Sequence, residues 1–238
     1  MFCNKLVNVK ESRTSFVLRY DDYQLTCAFS EQCFRQAYQL RGKVFCRELG
    51  WVNETSQGME SDGFDNNGVF HLGVKLQCGN LAAYLRLHPA WTEWMIDSIF
   101  SHTVPAGITL HQPRTCEVSR LVVAPEYRKY QFSNGQTAAD LIYQLLFAFC
   151  RLNDIDTVCM IVSMRVFRAL RLSGLPCRLV SRTDEGKQER DTPKFATLSW
   201  PELLTSSEFV IKRRRLAFLE TERRAKLCYQ TETEFSSG

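Results

Sequence analysis

Residues 69–77, VFHLGVKLQ, and residues 81–89, LAAYLRLHP, flank the short connection Cys78-Gly79-Asn80. In the second segment Leu81, Ala83, Leu85 and Leu87 share one face, and Ala82, Tyr84 and Arg86 share the other. This period of two, broken by a glycine-centred turn, is the signature of a β-hairpin. Downstream the pattern changes. TCEVSRLVVAP (115–125) reads as a third strand, residues 136–152 as a helix, and TVCMIVSM (157–164) as a buried strand. The helix carries Ala139, Ile142, Tyr143, Leu146 and Phe149 on one face, the 3.6-residue period. A hairpin followed by strand–helix–strand points to an α/β fold: a three-layer α-β-α sandwich around a mixed, largely antiparallel twisted sheet.

The flanking segments fill in the rest. YQLTCA (23–28) reads as a short strand, and Ser30 as the N-cap of a helix over 31–48. An acidic loop, 51–67, follows with four carboxylates and no Lys or Arg. RVFRALRLSG is a helix closed by Gly174, and CRLVS and KFATLSW are final strands. The expected organisation is an N-terminal extension (1–22), one domain (23–216) and a basic C-terminal tail (217–238). The net charge is +4, and residues 208–228 hold seven basic against three acidic side chains, a surplus of four. The body of the chain is therefore neutral on balance.

Composition excludes several classes. Hydrophobic residues make up 45% and charged residues 24%, as in a globular domain. The first residues, MFCNKLVNVKESR, have no apolar core of a secretory signal. The apolar run from Leu141 to Cys150 is too short to span a bilayer. The ten cysteines form no C-x-x-C pair, and the four histidines form no H-x-x-x-H pair. Reduced thiols, no metal and a cytoplasmic location are expected.

The anomalous residues are charged ones at apolar positions. Phe34, Ala37, Tyr38 and Phe45 form the stripe of the first helix, and Arg41 falls on it. A buried guanidinium needs a carboxylate or phosphate partner; the other reading is an arginine that snorkels to the surface. Arg86 raises the same question in the hairpin. In the third strand, Glu117 and Arg120 are three apart, which puts them on opposite faces of a regular strand. A β-bulge would bring them to a common site; the other reading is a local ion pair. The acidic stretch GMESDGFD supplies Glu60, Asp62 and Asp65. Such a mixed cluster, without a triad, a phosphate loop or metal spacing, suits a zwitterionic substrate.

Taken together these residues resemble the acyl-homoserine lactone synthases, autoinducer synthases related to the GNAT acyltransferases. LRGKVFCRELGW places Arg41, Phe45 and Trp51 at that family's arginine, phenylalanine and tryptophan. GMESDGFD supplies its acidic motif through Glu60, Asp62 and Asp65. Arg86 and Phe100 match its next arginine and phenylalanine, and EVSRL supplies Glu117, Ser119 and Arg120. The resemblance covers about residues 23–215. Two departures stand out. Cys116 replaces an aromatic residue, and Met160 and Val162 occupy positions where a threonine often reads the acyl C3 substituent.

The resemblance implies a GNAT-like fold and an acyltransferase that joins S-adenosylmethionine to an acyl thioester, without a bound cofactor. It makes Glu117 the base, with Arg120 orienting it or the substrate, and groups Asp62 and Asp65 with the catalytic set. Arg41, Phe45, Trp51, Glu60, Arg86, Phe100 and Ser119 would form the S-adenosylmethionine pocket, and Met160 and Val162 would meet the acyl chain. QFSNGQTA only loosely echoes a coenzyme A pyrophosphate loop, so acyl carrier protein is the expected donor. Arg165, Arg168 and Arg171 would dock that acidic partner, the other reading being a solvated face. Two rival functions stay open: an N-acyl amino acid synthase, and a non-catalytic protein whose basic tail contacts nucleic acid or an acidic partner.

Overall fold

The computed structural model describes residues 15–55, 57–181 and 192–236. Most of the expected N-terminal extension, residues 1–14, lies outside them. One eight-stranded sheet organises the chain: β1 Val17–Arg19, β2 Tyr23–Thr26, β3 Phe70–Leu76, β4 Leu81–Pro89, β5 Thr115–Val123, β6 Thr157–Val162, β7 Cys177–Leu179 and β8 Lys194–Ser199. Their spatial order is β1-β2-β3-β4-β5-β6-β8-β7. Among the described residues only the β5–β6 pair is parallel; every other pair is antiparallel. The expected α/β sandwich with a mixed, largely antiparallel sheet is what forms.

Six α-helices cover this sheet among the described residues: α1 Glu31–Arg41, α2 Met95–Ser98, α3 Ala138–Leu152, α4 Met164–Leu172, α5 Trp200–Thr205 and α6 Phe209–Ser236. Ser30 caps α1 by accepting from the Cys33 N–H, as its position predicts. Thr137 and Asp140 cap α3 reciprocally, in a capping box. The two faces of β4 are both buried and serve different layers. Ala83, Leu85 and Leu87 join the core that α3 completes, with Leu141, Leu145 and Phe149. Leu81 and Tyr84 join a second core with Ala37, Leu40 and Val44 from the other layer, so Leu81 and Ala82 depart from the simple alternation where the β3–β4 register shifts at Val74/Lys75. Arg86 shares that second face.

Three expectations change. The helix read over 31–48 is α-helical only to Arg41; Gly42–Glu48 continues as a π-helix, whose wider turn accommodates one more residue per ring. The C-terminal residues are not an appendage. The boundary at 216/217 falls inside α6, whose Ile211, Phe218 and Ala225 are buried in the main core. Phe218 meets Phe147 edge-on, ring centres 5.5 Å apart, and Thr221 donates to Gln144 of α3 at 3.1 Å. The basic side chains hide an apolar stripe that composition alone does not reveal. The N-terminal boundary moves as well, because Phe16 and Leu18 are buried and β1 belongs to the sheet.

Phe218→Ala leaves a cavity between α3, α5 and α6 and is expected to cost about 3 kcal/mol or more. Urea unfolding followed by fluorescence measures it; a free tail would show no change.

Candidate active site

Arg41 ends α1 with no exposed surface. Its Nε donates to Glu60 at 2.5 Å, and Nη1 and Nη2 donate to the two Asp65 oxygens at 2.7 and 2.9 Å. Arg86, equally buried on β4, donates to Asp62 at 2.5 Å and to Asp65 at 2.6 Å. Arg120 on β5 donates to Asp62 at 2.7 Å and to Glu60 at 3.0 Å. Three guanidiniums thus meet three carboxylates, with formal charge balanced. Burial opposes the ionised form of each carboxyl, but the arginine hydrogen bonds overcome it. They hold Glu60, Asp62 and Asp65 below the usual carboxylate range.

Two backbone features let these residues converge. A Cβ at Gly42 would come within 2.5 Å of the Gly58 carbonyl oxygen. Glycine therefore allows the acidic loop to lie directly on α1, where the Glu60 N–H donates to the Tyr38 carbonyl at 3.0 Å. On β5, Tyr84 pairs with Val122 but Arg86 pairs with Ser119, so one extra residue enters β5. Arg120 sits there at φ 54°, in the left-handed region. This is the bulge that the Glu117–Arg120 spacing demanded, and the ion pairs to Glu60 and Asp62 hold its strained backbone.

The same bulge opens a cleft. β5 and β6 pair only through Thr115–Glu117 and Thr157–Cys159. Beyond Glu117 the strands part, and a cavity of about 470 Å³ lies there, lined mainly by apolar side chains. Glu117, Ser119 and Arg120 line one side, Met160 and Val162 another, and Phe45, Trp51 and Phe100 contribute aromatic walls. Phe45 and Trp51 are stacked with ring centres 6.0 Å apart, and the Arg120 guanidinium lies 5.5 Å from the Phe45 ring.

Glu117 differs from the loop carboxylates. It is 2% exposed and, among the described residues, faces no arginine within hydrogen-bonding distance; its oxygens accept from the Met95 N–H at 2.7 Å and the Ile96 N–H at 3.2 Å. Burial pushes its carboxyl up to about 7, against those two backbone bonds.

The sequence-derived residues therefore divide into groups. Arg41, Arg86, Glu60, Asp62 and Asp65 form a buried frame behind the cavity; none of the five lines it. Arg120 belongs to both. It orients no Glu117 oxygen; its bonds go to the acidic loop. Arg165, Arg168 and Arg171 are exposed on α4, and Arg171 pairs with Glu208 of the chain at 3.4 Å. Sequence reasoning placed Met95 within the resembling segment between Arg86 and Phe100 but gave it no role; its N–H holds Glu117 and its sulfur lies 3.3 Å from Arg86 Nη2. Sequence reasoning missed Gly42 and the buried His88. The last was detectable, because His88 alternates with Arg86 on one strand face.

Asp65→Asn leaves Arg41 and Arg86 short of a charge partner and is expected to cost about 3–5 kcal/mol at pH 7. Its depressed carboxyl contributes stability above the ordinary carboxylate value. That stability is lost as pH falls, so the wild type should weaken below about pH 4 while the variant changes less. Urea midpoints from pH 3 to 7 measure both.

The profile of the autoinducer synthases matches residues 25–198. The acyl-homoserine-lactone synthase of Aeromonas hydrophila is 28% identical over 142 residues, 59% of this chain and 68% of that protein. The AHL synthase LasI superposes with a TM-score of 0.63 at 17% identity, over 78% of this chain and 90% of that one. The CoA-dependent acyl-homoserine lactone synthase BjaI, with SAM and isopentyl-CoA, gives 0.62 at 18%, over 90% and 100%. At such identities the structural likeness concerns the fold. The family match, spanning nearly all of the sheet and the whole buried frame, is decisive: the chain belongs to the autoinducer synthase family.

Proposed function

We propose that this enzyme makes an N-acyl-L-homoserine lactone from S-adenosylmethionine and an acyl thioester, with acyl carrier protein as the donor. The observation that carries the reading is Glu117: one buried carboxyl, pushed up to about 7, at the wall of an apolar cavity. Acylation needs the substrate amine deprotonated, and a base with a value near the working pH does this best. Each carboxylate oxygen has two lone pairs, so the bonds from Met95 and Ile96 leave Glu117 room to accept a proton.

The reaction then runs in two steps. Glu117 takes a proton from the substrate ammonium, the freed amine attacks the thioester carbonyl, and the C–S bond breaks as the nitrogen's second proton passes to the departing sulfur to give the thiol. The methionyl carboxylate next attacks its own Cγ. The Cγ–S bond breaks, its electron pair neutralises the sulfonium, and methylthioadenosine departs. The second step is intramolecular with a good leaving group, so positioning is its main requirement. The aromatic walls Phe45, Trp51 and Phe100 suit the adenosine portion, and Met160 and Val162 suit an acyl chain. Arg41 and Arg86 act through the acidic loop, whose oxygens they hold. Arg165 and Arg168 offer exposed positive charge to an acidic carrier protein.

Incubation with S-adenosylmethionine and either acyl carrier protein or coenzyme A thioesters, read by mass spectrometry, tests the reading. Methylthioadenosine and an acyl-homoserine lactone are expected, with turnover faster from the carrier protein. No methylthioadenosine from any donor sinks it, and an acylated free amino acid makes the chain an N-acyl amino acid synthase instead. Glu117→Gln should lower kcat on the order of 100-fold or more. The wild-type rate should rise with pH through about 7, because the base works deprotonated. That inflection should be absent from the residual rate of the variant.

A further inference from the structure

His88 lies on β4 directly opposite Glu117 of β5, and Arg86 lies opposite Ser119. All four therefore belong to one face of the sheet, and His88 has no exposed surface. The Ser119 oxygen is 3.0 Å from Arg86 Nε and 3.1 Å from His88 Nε2. The Phe64 ring from the acidic loop covers the imidazole edge-on at 6.2 Å. His88 Nδ1 is buried and has no hydrogen-bond partner among the described residues.

The hydrogen atoms can be assigned from this geometry. Arg86 Nε always carries a proton, so it donates to Ser119 and occupies one lone pair of the hydroxyl. Burial, aided by the Arg86 charge, pushes His88 down to about 3, so its ring is neutral at physiological pH. Two tautomers are then available. With the proton on Nδ1, Ser119 would donate to Nε2, and a buried N–H would be left without an acceptor. With the proton on Nε2, His88 donates to Ser119, and only a lone pair at Nδ1 goes unused. An orphaned buried N–H is the rarer and costlier of the two. In the second arrangement both lone pairs of the Ser119 oxygen are filled, by Arg86 and by His88. Its own O–H is then free, and Ser119 lines the cavity.

We propose that His88 is a positioning residue that holds the Ser119 hydroxyl as a donor into the cavity, toward the thioester oxygen that becomes an oxyanion on acylation. The proposal rests on the function given above. Glu117 and Ser119 are two apart on β5, roughly 6.6 Å along a strand. A chain running from base to amine nitrogen, to carbonyl carbon, to oxygen, to donor spans a similar length when each hydrogen bond is about 2.8 Å. One strand face thus presents a base and an oxyanion donor at matching separation. Preorganised donors of this kind act where charge develops, and so appear in kcat.

The tautomer is read first, in the whole protein without substrate, by ¹⁵N NMR of labelled histidine. His88 should show a protonated Nε2 and an unprotonated Nδ1; the reverse overturns the assignment whatever the enzyme makes. Steady-state kinetics then test the consequence. His88→Leu keeps the bulk but removes the donor, and should lower kcat about tenfold or more while KM for S-adenosylmethionine stays within about twofold. His88→Gln, whose amide N–H₂ reaches the Nε2 position, should recover most of the loss. Ser119→Ala should cost at least as much as His88→Leu, and the double variant no more than Ser119→Ala alone. Unchanged kcat in His88→Leu, equal failure of the Gln variant with native thermal stability, or multiplicative losses in the double variant would each overturn it. An inactive wild type with the expected tautomer would instead refute the function while leaving the Ser119 geometry standing.

Discussion

Three arginines buried against three carboxylates set the terms for the rest of this molecule. Arg41 comes from a helix, Arg86 from a central strand and Arg120 from a bulge, whereas all three acids come from one loop. Burying Arg41, Arg86 and Glu60 and partly burying the other three charges is expensive, and an apolar cluster of equal volume would serve stability as well. What the charges add is uniqueness. Each guanidinium is satisfied only when helix, sheet and loop take one relative placement, and any slip strands a charge in a medium that solvates it poorly. The network therefore fixes the cavity wall and reaches the cavity only through Arg120. It also leaves Arg41 and Arg86 with no exposed surface to offer a substrate.

The bulge at Arg120 links that frame to the cleft. One extra residue in β5 turns Arg120 toward Glu60 and Asp62, and the strand that carries it has already departed from β6 after Glu117. A regular strand could satisfy neither demand. Arg120 would face the wrong layer, and continued pairing with β6 would fill the space where apolar side chains now line a cavity. The strain of a left-handed arginine is thus tied to both features, and the ion pairs hold it in place.

How much of this could be read from the chain follows from the physics of each signal. The hairpin and the α3 face were legible because periods of two and 3.6 come from burial, which repeats along an element. The bulge was legible as a contradiction: Glu117 and Arg120 could share a site only if the strand broke its own parity. The arginine frame was legible as charges on apolar positions, though not as a frame behind the pocket, since exposure depends on what covers a side chain from elsewhere. α6 was misread for a related reason. Its buried residues are sparse among many basic ones, and no local pattern shows that α3 offers them a partner. The role of Met95 escaped because it acts through its backbone N–H, and Gly42 escaped because its role is to let another segment approach.

The carboxylates end in two environments, and that contrast gives the site its chemistry. Glu60, Asp62 and Asp65 face guanidiniums and stay ionised far below neutral pH. Glu117 sits on the same side of the sheet with backbone N–H groups as partners and no full charge paired to it, so burial dominates and its value rises to about 7. An acid that is always ionised can order a structure but cannot usefully exchange a proton at neutral pH. An acid near 7 can do so in both directions. By absorbing the arginines, the loop carboxylates leave Glu117 in the weak-field position where a base is useful. A frame that strayed toward Glu117 would lower its value and remove the function it surrounds.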